Sequence, residues 1–320
     1  MFSPQGTYLA SDYNTDGTLR IWSVQTGQQV ASLSGHNTRV EQAVFTTDER
    51  FAATSDFDGT FRIWSLTTRQ SKIVNIDAGD WMVKHSIAAS PDGQKFAVGS
   101  NGTQVFLVEA ETGNIKQVLG KGNSSGLFYT DFVQYSPTGD SLFAITRIHN
   151  PDRSGTNVIF TLWNLKIGQP IVELVGDGCT NHFWASFGSE GALFVASSSK
   201  SQTDVCNIPN LGTASTAIIH LWDVASRRKV ASLTLKKHVR GDRVQVGFSP
   251  DGKFVMVDTG SEIEFWRLTP EKEPELVSSI QDHEFRAFTS DGLQVLTRRT
   301  LWGVETGKPL NFWTGSLGSD

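Results

Sequence analysis

Hydrophobic and polar residues alternate along most of this chain in short runs, as in Thr18-Leu19-Arg20-Ile21-Trp22-Ser23-Val24. A period of two is the pattern of a half-buried strand, and no segment holds a convincing helical period. Turn signals separate the runs. The commonest is an aromatic or small residue followed by Ser-Pro-Asp-Gly or a variant of it. It occurs as Phe2-Ser3-Pro4-Gln5-Gly6, Ala89-Ser90-Pro91-Asp92-Gly93, Tyr135-Ser136-Pro137-Thr138-Gly139 and Phe187-Gly188-Ser189-Glu190-Gly191. It returns as Phe248-Ser249-Pro250-Asp251-Gly252 and Phe288-Thr289-Ser290-Asp291-Gly292, with a degenerate copy at Phe45-Thr46-Thr47-Asp48-Glu49-Arg50. Pro presets φ and Gly accepts positive φ, so the tetrapeptide is a tight turn between two strands.

A second landmark follows each turn: an apolar residue and a Trp ahead of a further short turn. The Trp residues are Trp22, Trp64, Trp163, Trp222, Trp266 and Trp302, and Leu107 takes the place in the third copy. Each unit therefore supplies about four short strands, too small a sheet to bury both faces alone, and stacked units solve that problem. The expected fold is all-β: a seven-bladed β-propeller of four-stranded antiparallel blades in one domain over residues 1–320. The approximate blades are 1–34, 38–77, 81–119, 127–175, 181–235, 241–280 and 283–314. Six repeats have an apolar run before the turn, beginning near Val40, Val83, Phe128, Phe183, Val244 and Phe285, whereas the first has only Met1-Phe2. The first blade is thus expected to lack its innermost strand, either natively or because Met1 is a residue inside that strand.

These units resemble the WD-repeat family of β-propellers over essentially the whole chain. The best stretch is Gly35-His36, Val40 and Phe45, then Asp58-Gly59-Thr60-Phe61-Arg62-Ile63-Trp64; the one literal Trp-Asp pair is Trp222-Asp223. The resemblance implies a buried hydrogen-bonded tetrad of His, strand Ser or Thr, turn Asp and Trp. The second repeat offers His36, Thr54 or Ser55, Asp58 and Trp64 for it, while the first has Asp16 and Trp22 but no His.

Composition narrows the function. Of 320 residues, 38% are hydrophobic and 19% charged, enough for a substantial core. Twenty-eight basic against 33 acidic residues give a net charge of −5, which weighs against binding through nucleic-acid phosphates. No apolar run approaches a membrane span, so the expected location is cytoplasmic, with no membrane or nucleic-acid partner. Catalytic signatures are missing: no Gly-rich loop precedes a helix, and no Gly-x-Ser-x-Gly elbow or His-Glu-x-x-His run occurs. His85 and His220 fall within strand patterns and read as packed or surface residues. The expectation is no enzyme, no metal and no cofactor.

Departures from the repeat carry more information. The spacing from Leu107 to Trp163 and from Trp163 to Trp222 is markedly longer than from Trp22 to Trp64. The excess reads as loops: residues 147–157 in the fourth repeat and 197–216 in the fifth, with further long connections at 120–126 and 176–181. The resemblance implies that all of these open on one end of the blades, and loops on a rigid scaffold commonly carry binding. The expected function is a non-catalytic interaction scaffold or sensing domain for a protein or peptide, as a monomer or as part of a larger chain. Its candidate face comprises Arg39, Trp81, Tyr129, His182, Arg243 and His283, which enter the first strands, with His149 and Arg153 from the fourth-repeat insertion. Arg and aromatic side chains are frequent interface anchors. The alternative is a small-ligand or lactonase/hydrolase-type propeller using its central channel. The two cysteines, Cys179 and Cys206, belong to two loops of the fifth repeat. They are either independent thiols, which a cytosolic protein favours, or neighbours able to form a disulfide or, with His182 and Asp204, a weak metal site.

Overall fold

The computed structural model describes residues 1–11, 16–56, 59–76, 86–100, 102–122, 128–149, 156–175, 182–187, 193–200, 217–223, 228–234, 245–269, 272–282, 285–298 and 300–312. All regular structure among them is β, arranged as seven antiparallel sheets. The first has three strands, β1 (Tyr8–Ser11), β2 (Thr18–Ser23) and β3 (Gln29–Ser34). The second runs β4 (Val40–Phe45), β5 (Phe51–Asp56), β6 (Phe61–Ser65) and β7 (Ser71–Val74). The third holds β8 (Ile87–Ala89), β9 (Lys95–Gly99), β10 (Val105–Glu109) and β11 (Ile115–Leu119). The fourth holds β12 (Phe128–Tyr135), β13 (Ser141–His149), β14 (Thr156–Asn164) and β15 (Gln169–Val175).

The fifth sheet comprises β16 (His182–Phe187), β17 (Leu193–Lys200), β18 (Ala217–Asp223) and β19 (Arg228–Thr234). The sixth comprises β20 (Gln245–Phe248), β21 (Phe254–Asp258), β22 (Ile263–Arg267) and β23 (Glu275–Ile280). The seventh comprises β24 (Ala287–Phe288), β25 (Gln294–Leu296), β26 (Thr300–Gly303) and β27 (Pro309–Phe312). In every sheet the strands pair in chain order. In the first sheet the inner edge carries only a stub: Phe2 bridges Leu9, and the Met1 ammonium donates to the Ala10 carbonyl at 2.8 Å.

The repeated turn explains why the first two strands of each unit meet. In the third sheet Asp92 Oδ1 accepts from Ser90 Oγ at 2.5 Å and from the Gln94 amide at 3.0 Å, while Ser90 Oγ accepts the Lys95 amide at 2.9 Å. Asp251 with Ser249 and Asp48 with Thr46 repeat the arrangement. Partial burial works against these carboxylates, but the hydroxyl and backbone donors outweigh it and hold all three below the usual carboxylate range. Each turn glycine sits at positive φ, Gly93 at 69° and Gly252 at 70°, where a side chain would be strained.

The chain divides into two compact units, Met1–Val175 and Gly176–Asp320. In the first, sheets stack in chain order over shared apolar layers. Leu19 and Ile21 meet Ala52 and Trp64, Phe61 and Ile63 meet Phe96 and Val98, and Leu107 meets Val133, Tyr135 and Trp163. In the second unit Leu221 and Leu233 meet Val246 and Val255, and Phe254 and Phe265 meet Val295. Alternation sends successive strand residues to opposite faces, so one strand feeds two layers: Leu107 faces the fourth sheet and Phe106 packs with the second.

Two sequence expectations change. The Trp position of the third repeat belongs to Val108, not Leu107. Trp22, Trp64, Trp163 and Trp266 pair across to Leu9, Ala52, Leu142 and Val255, and the matching pair in the third sheet is Val108 with Phe96. A register shift between Leu107 and Val108 sits where the first sheet has one between Ile21 and Trp22. The extra length of the fourth repeat is also not all loop. Residues 147–149 and 156–157 extend the β13–β14 ladder to the pair His149–Thr156, and residues 197–200 likewise belong to β17.

Candidate functional site

Two polar constellations stand out, one inside the second sheet and one at the end of the fourth. The inner one surrounds His36, which is 6% exposed. Thr60 Oγ1 donates to Asp56 Oδ1 at 2.9 Å, so it accepts from His36 Nδ1 at 2.9 Å. The Nδ1 proton leaves Nε2 as an acceptor, and Thr54 Oγ1 lies 2.6 Å from it. Thr54 Oγ1 in turn accepts from Trp64 Nε1 at 2.7 Å. The Asp56 carboxylate also takes the Thr60 amide at 2.8 Å and stands 3.3 Å from His36 Nδ1. Burial is the main force lowering the His36 pKa; Asp56 opposes it and the Arg62 guanidinium adds to it. The ring is therefore neutral near pH 7, with Thr54 Oγ1 donating to Nε2.

The structure thus brings His36, Thr54 and Trp64 together, and Asp58 lies outside the described residues. The carboxylate seen beside His36 is Asp56, fully buried at the end of β5, together with Thr60. Asp56 was not singled out from the sequence. Elsewhere the Trp N–H finds other acceptors. Trp22 donates to Ser11 Oγ at 2.9 Å, Trp266 to Glu264 Oε2 at 3.0 Å, and Trp302 to Asp282 Oδ2 and Thr297 Oγ1, each at 3.2 Å. The network is architectural: His36, Thr54, Thr60 and Trp64 each bond another of its members.

Its pH dependence has a definite sign. A His whose folded pKa lies below its unfolded value of 6.5 binds protons more readily when unfolded. Stability is then full above pH 6.5 and falls as the pH drops through that value toward the lower folded one. Urea midpoints of the wild type should decrease between pH 7.5 and 5.5, and His36→Gln should flatten that part of the profile. An unchanged slope in the variant would remove His36 as its source.

The outer constellation lies where strands enter the sheets. In β12 a register shift between Thr130 and Phe132 leaves Asp131 as the extra residue of a bulge. Asp131 Oδ2 accepts from Arg147 Nε at 2.8 Å, with both side chains partly exposed. Tyr129 pairs across the ladder with Arg147. Burial pushes the Tyr129 phenol up, only partly offset by Arg147, so it stays a neutral hydroxyl. The same bulge position in β4 holds Glu41, 3.9 Å from the exposed Arg39. Both sheets therefore present an Arg–carboxylate pair at this end. Arg147, Asp131 and Glu41 were not singled out as site residues from sequence, because a bulge that turns a strand residue outward leaves no compositional mark.

Of the remaining candidates, Trp81, Arg153, Arg243 and His283 lie outside the described residues, as do Cys179 and Cys206. His149 ends β13 and His182 begins β16. Among the described residues no group of three or more His, Cys, Asp or Glu is placed to hold a metal ion. No helix among them is long and apolar enough to cross a membrane.

Seven repeated antiparallel sheets with a shared turn and a shared Trp register define a propeller of repeated blades. The particular repeat is identified by the second and first sheets: residues 1–23 and 27–65 match the model of the WD domain, G-beta repeat. Residues 1–65 thus carry WD repeats, and the sheets that follow repeat their antiparallel strand plan. Among solved structures, a chain titled Kuenenia stuttgartiensis Hydrazine Synthase superposes with a TM-score of 0.63. The match covers 97% of this chain and 93% of that one at 14% identity, and at that identity the likeness speaks for the fold alone. No curated protein matches the sequence.

Proposed function

We propose that the protein is a non-catalytic interaction scaffold that binds a protein or peptide through the end of its blades where β12 begins and β13 and β14 meet. The carrying observation is the fourth blade. Its β13–β14 ladder reaches His149–Thr156, far beyond Ser55–Phe61 in the second blade, with Tyr129, Asp131 and Arg147 at its base. The paired ladder holds its backbone in register, so little backbone ordering entropy is lost on binding. WD repeats generally mediate protein interactions, which supports the same reading. The net charge of −5 favours a partner other than nucleic acid.

The test is a quantitative capture with the wild type and with a variant whose β13–β14 hairpin is shortened by deleting residues 148–157. Interface anchors of this type contribute about 2 kcal/mol or more each. Arg147→Ala should therefore weaken capture of the same partner by about 30-fold at 1.4 kcal/mol per decade, and the shortened hairpin should abolish it. Turnover of a lactone or ester that disappears on replacing one carboxylate would favour the hydrolase alternative instead.

A further inference from the structure

The groove between the third and fourth blades holds a polar cavity. The residue whose amide donates to the turn hydroxyl is Tyr8 in the first repeat, Phe51 in the second, Ser141 in the fourth, Phe254 in the sixth and Gln294 in the seventh, and Lys95 in the third. Across the groove lies the residue before the next repeat's turn, Phe45 opposite Tyr8 and Tyr135 opposite Lys95. Where both positions are aromatic they pack: Tyr8 of the first blade stacks on Phe45 of the second at 6.5 Å. Between the third and fourth blades the same two positions are Lys95 and Tyr135. A cavity of ≈ 120 Å³ opens there, lined also by Asp92, Gln117 and Leu165.

The Tyr135 hydroxyl is the anomaly. The residue is only 8% exposed, and its oxygen is buried with no hydrogen-bond partner. Such a group costs stability unless something occupies it, and a Phe here would avoid the cost. Burial drives the phenol's pKa well above its usual range, so it remains a donor. The other walls offer both polarities. Asp92 Oδ1 is taken by Ser90 and Gln94, leaving Oδ2 as an acceptor, while Lys95 places an ammonium on the same cavity. The opposite charges balance, which favours a neutral ligand over an ion. The volume exceeds the roughly 10–15 Å³ of such space that one water needs and leaves room for a small organic group.

We propose that this cavity is a binding site for a primary carboxamide, its carbonyl accepting from Tyr135 and its NH2 donating to Asp92. The source is either a free small amide or the side chain of an Asn on a bound peptide. The site is separate from the interaction end of the blades, so its test does not depend on that reading.

Acetamide and blocked asparagine (N-acetyl-asparagine-methylamide) are titrated into the wild type while the Gln117 side-chain NH2 and Gly139 amide NMR signals are followed. Acetate serves as the charged comparison. Saturable shifts are expected with acetamide and at least tenfold weaker ones with acetate. Saturation by the blocked asparagine as well assigns the site to a peptide side chain; saturation by acetamide alone assigns it to a free amide. Tyr135→Phe should lose the shifts and yet melt higher than wild type by about 2 °C. Lys95→Phe, which restores the residue of the second and sixth repeats, should also abolish binding. Non-saturating shifts, an equal response to acetate, or a lower melting temperature for Tyr135→Phe would overturn the proposal, leaving an ordered water cluster only.

Discussion

Asp56→Ala should unfold at a clearly lower urea concentration than wild type, while Asp16→Ala should leave the midpoint nearly unchanged. Asp56 is fully buried and receives the Thr60 amide and hydroxyl, with His36 Nδ1 at 3.3 Å. Removing the carboxylate strands these donors away from water, and each buried unsatisfied group costs about 1–3 kcal/mol, so a loss of about 3 kcal/mol is expected. Asp16 has the same residue type in the neighbouring repeat but the opposite surroundings. It is exposed and pairs with Arg20 at 2.8 Å, an arrangement that contributes little in water. Thr54→Val should resemble Asp56→Ala, since Thr54 Oγ1 joins His36 to Trp64. Equal urea midpoints for the Asp56 and Asp16 variants would mean that the second blade does not depend on this network.

The second large effect is at Gly17. Gly17 and Gly27 both sit at φ +67°, so alanine at either bears the same backbone strain, about 1–2 kcal/mol. They differ in what a Cβ would meet. At Gly27 nothing lies within 4 Å, whereas at Gly17 the His36 carbonyl oxygen is 2.2 Å away and the Thr38 oxygen 2.9 Å. Backbone cannot rotate aside as a side chain can. Gly17→Ala must therefore push the segment that carries His36 away from the first blade, adding roughly 1–3 kcal/mol as overpacking does. Thermal melts should place Gly27→Ala slightly below wild type and Gly17→Ala well below both. Coincident melting curves for the two variants would show that the first blade does not press on the His36 segment.

Most of the blade plan was legible in the sequence because its signals are local. Ser-Pro-Asp-Gly is a turn wherever it stands, and the alternation from Thr18 to Val24 is that of a half-buried strand. What sequence spacing could not give was register. The Trp position of the third repeat falls on Val108, and its pairing with Phe96 places it there. The bulges at Glu41 and Asp131 hide in the same way. The polar stretch Arg147-Ile148-His149 reads as loop because strands with few apolar residues resemble loops; the ladder partners Val158, Asn157 and Thr156 make it strand. Asp56 was not singled out because the burial of an acid at a strand end is a tertiary fact. The Tyr135 cavity needed the repeats to be aligned through a shared hydrogen bond before two substitutions could be seen to face each other.

The interaction reading is tested most directly by hydrogen–deuterium exchange of the protein alone and with its captured partner. Protection should appear over residues 128–131 and 146–158, the entry of β12 and the long β13–β14 hairpin, with little change at the turns around Pro91, Pro137 and Pro250. Protection confined to those turns, or a bound partner that leaves residues 128–131 and 146–158 exchanging as before, would contradict it.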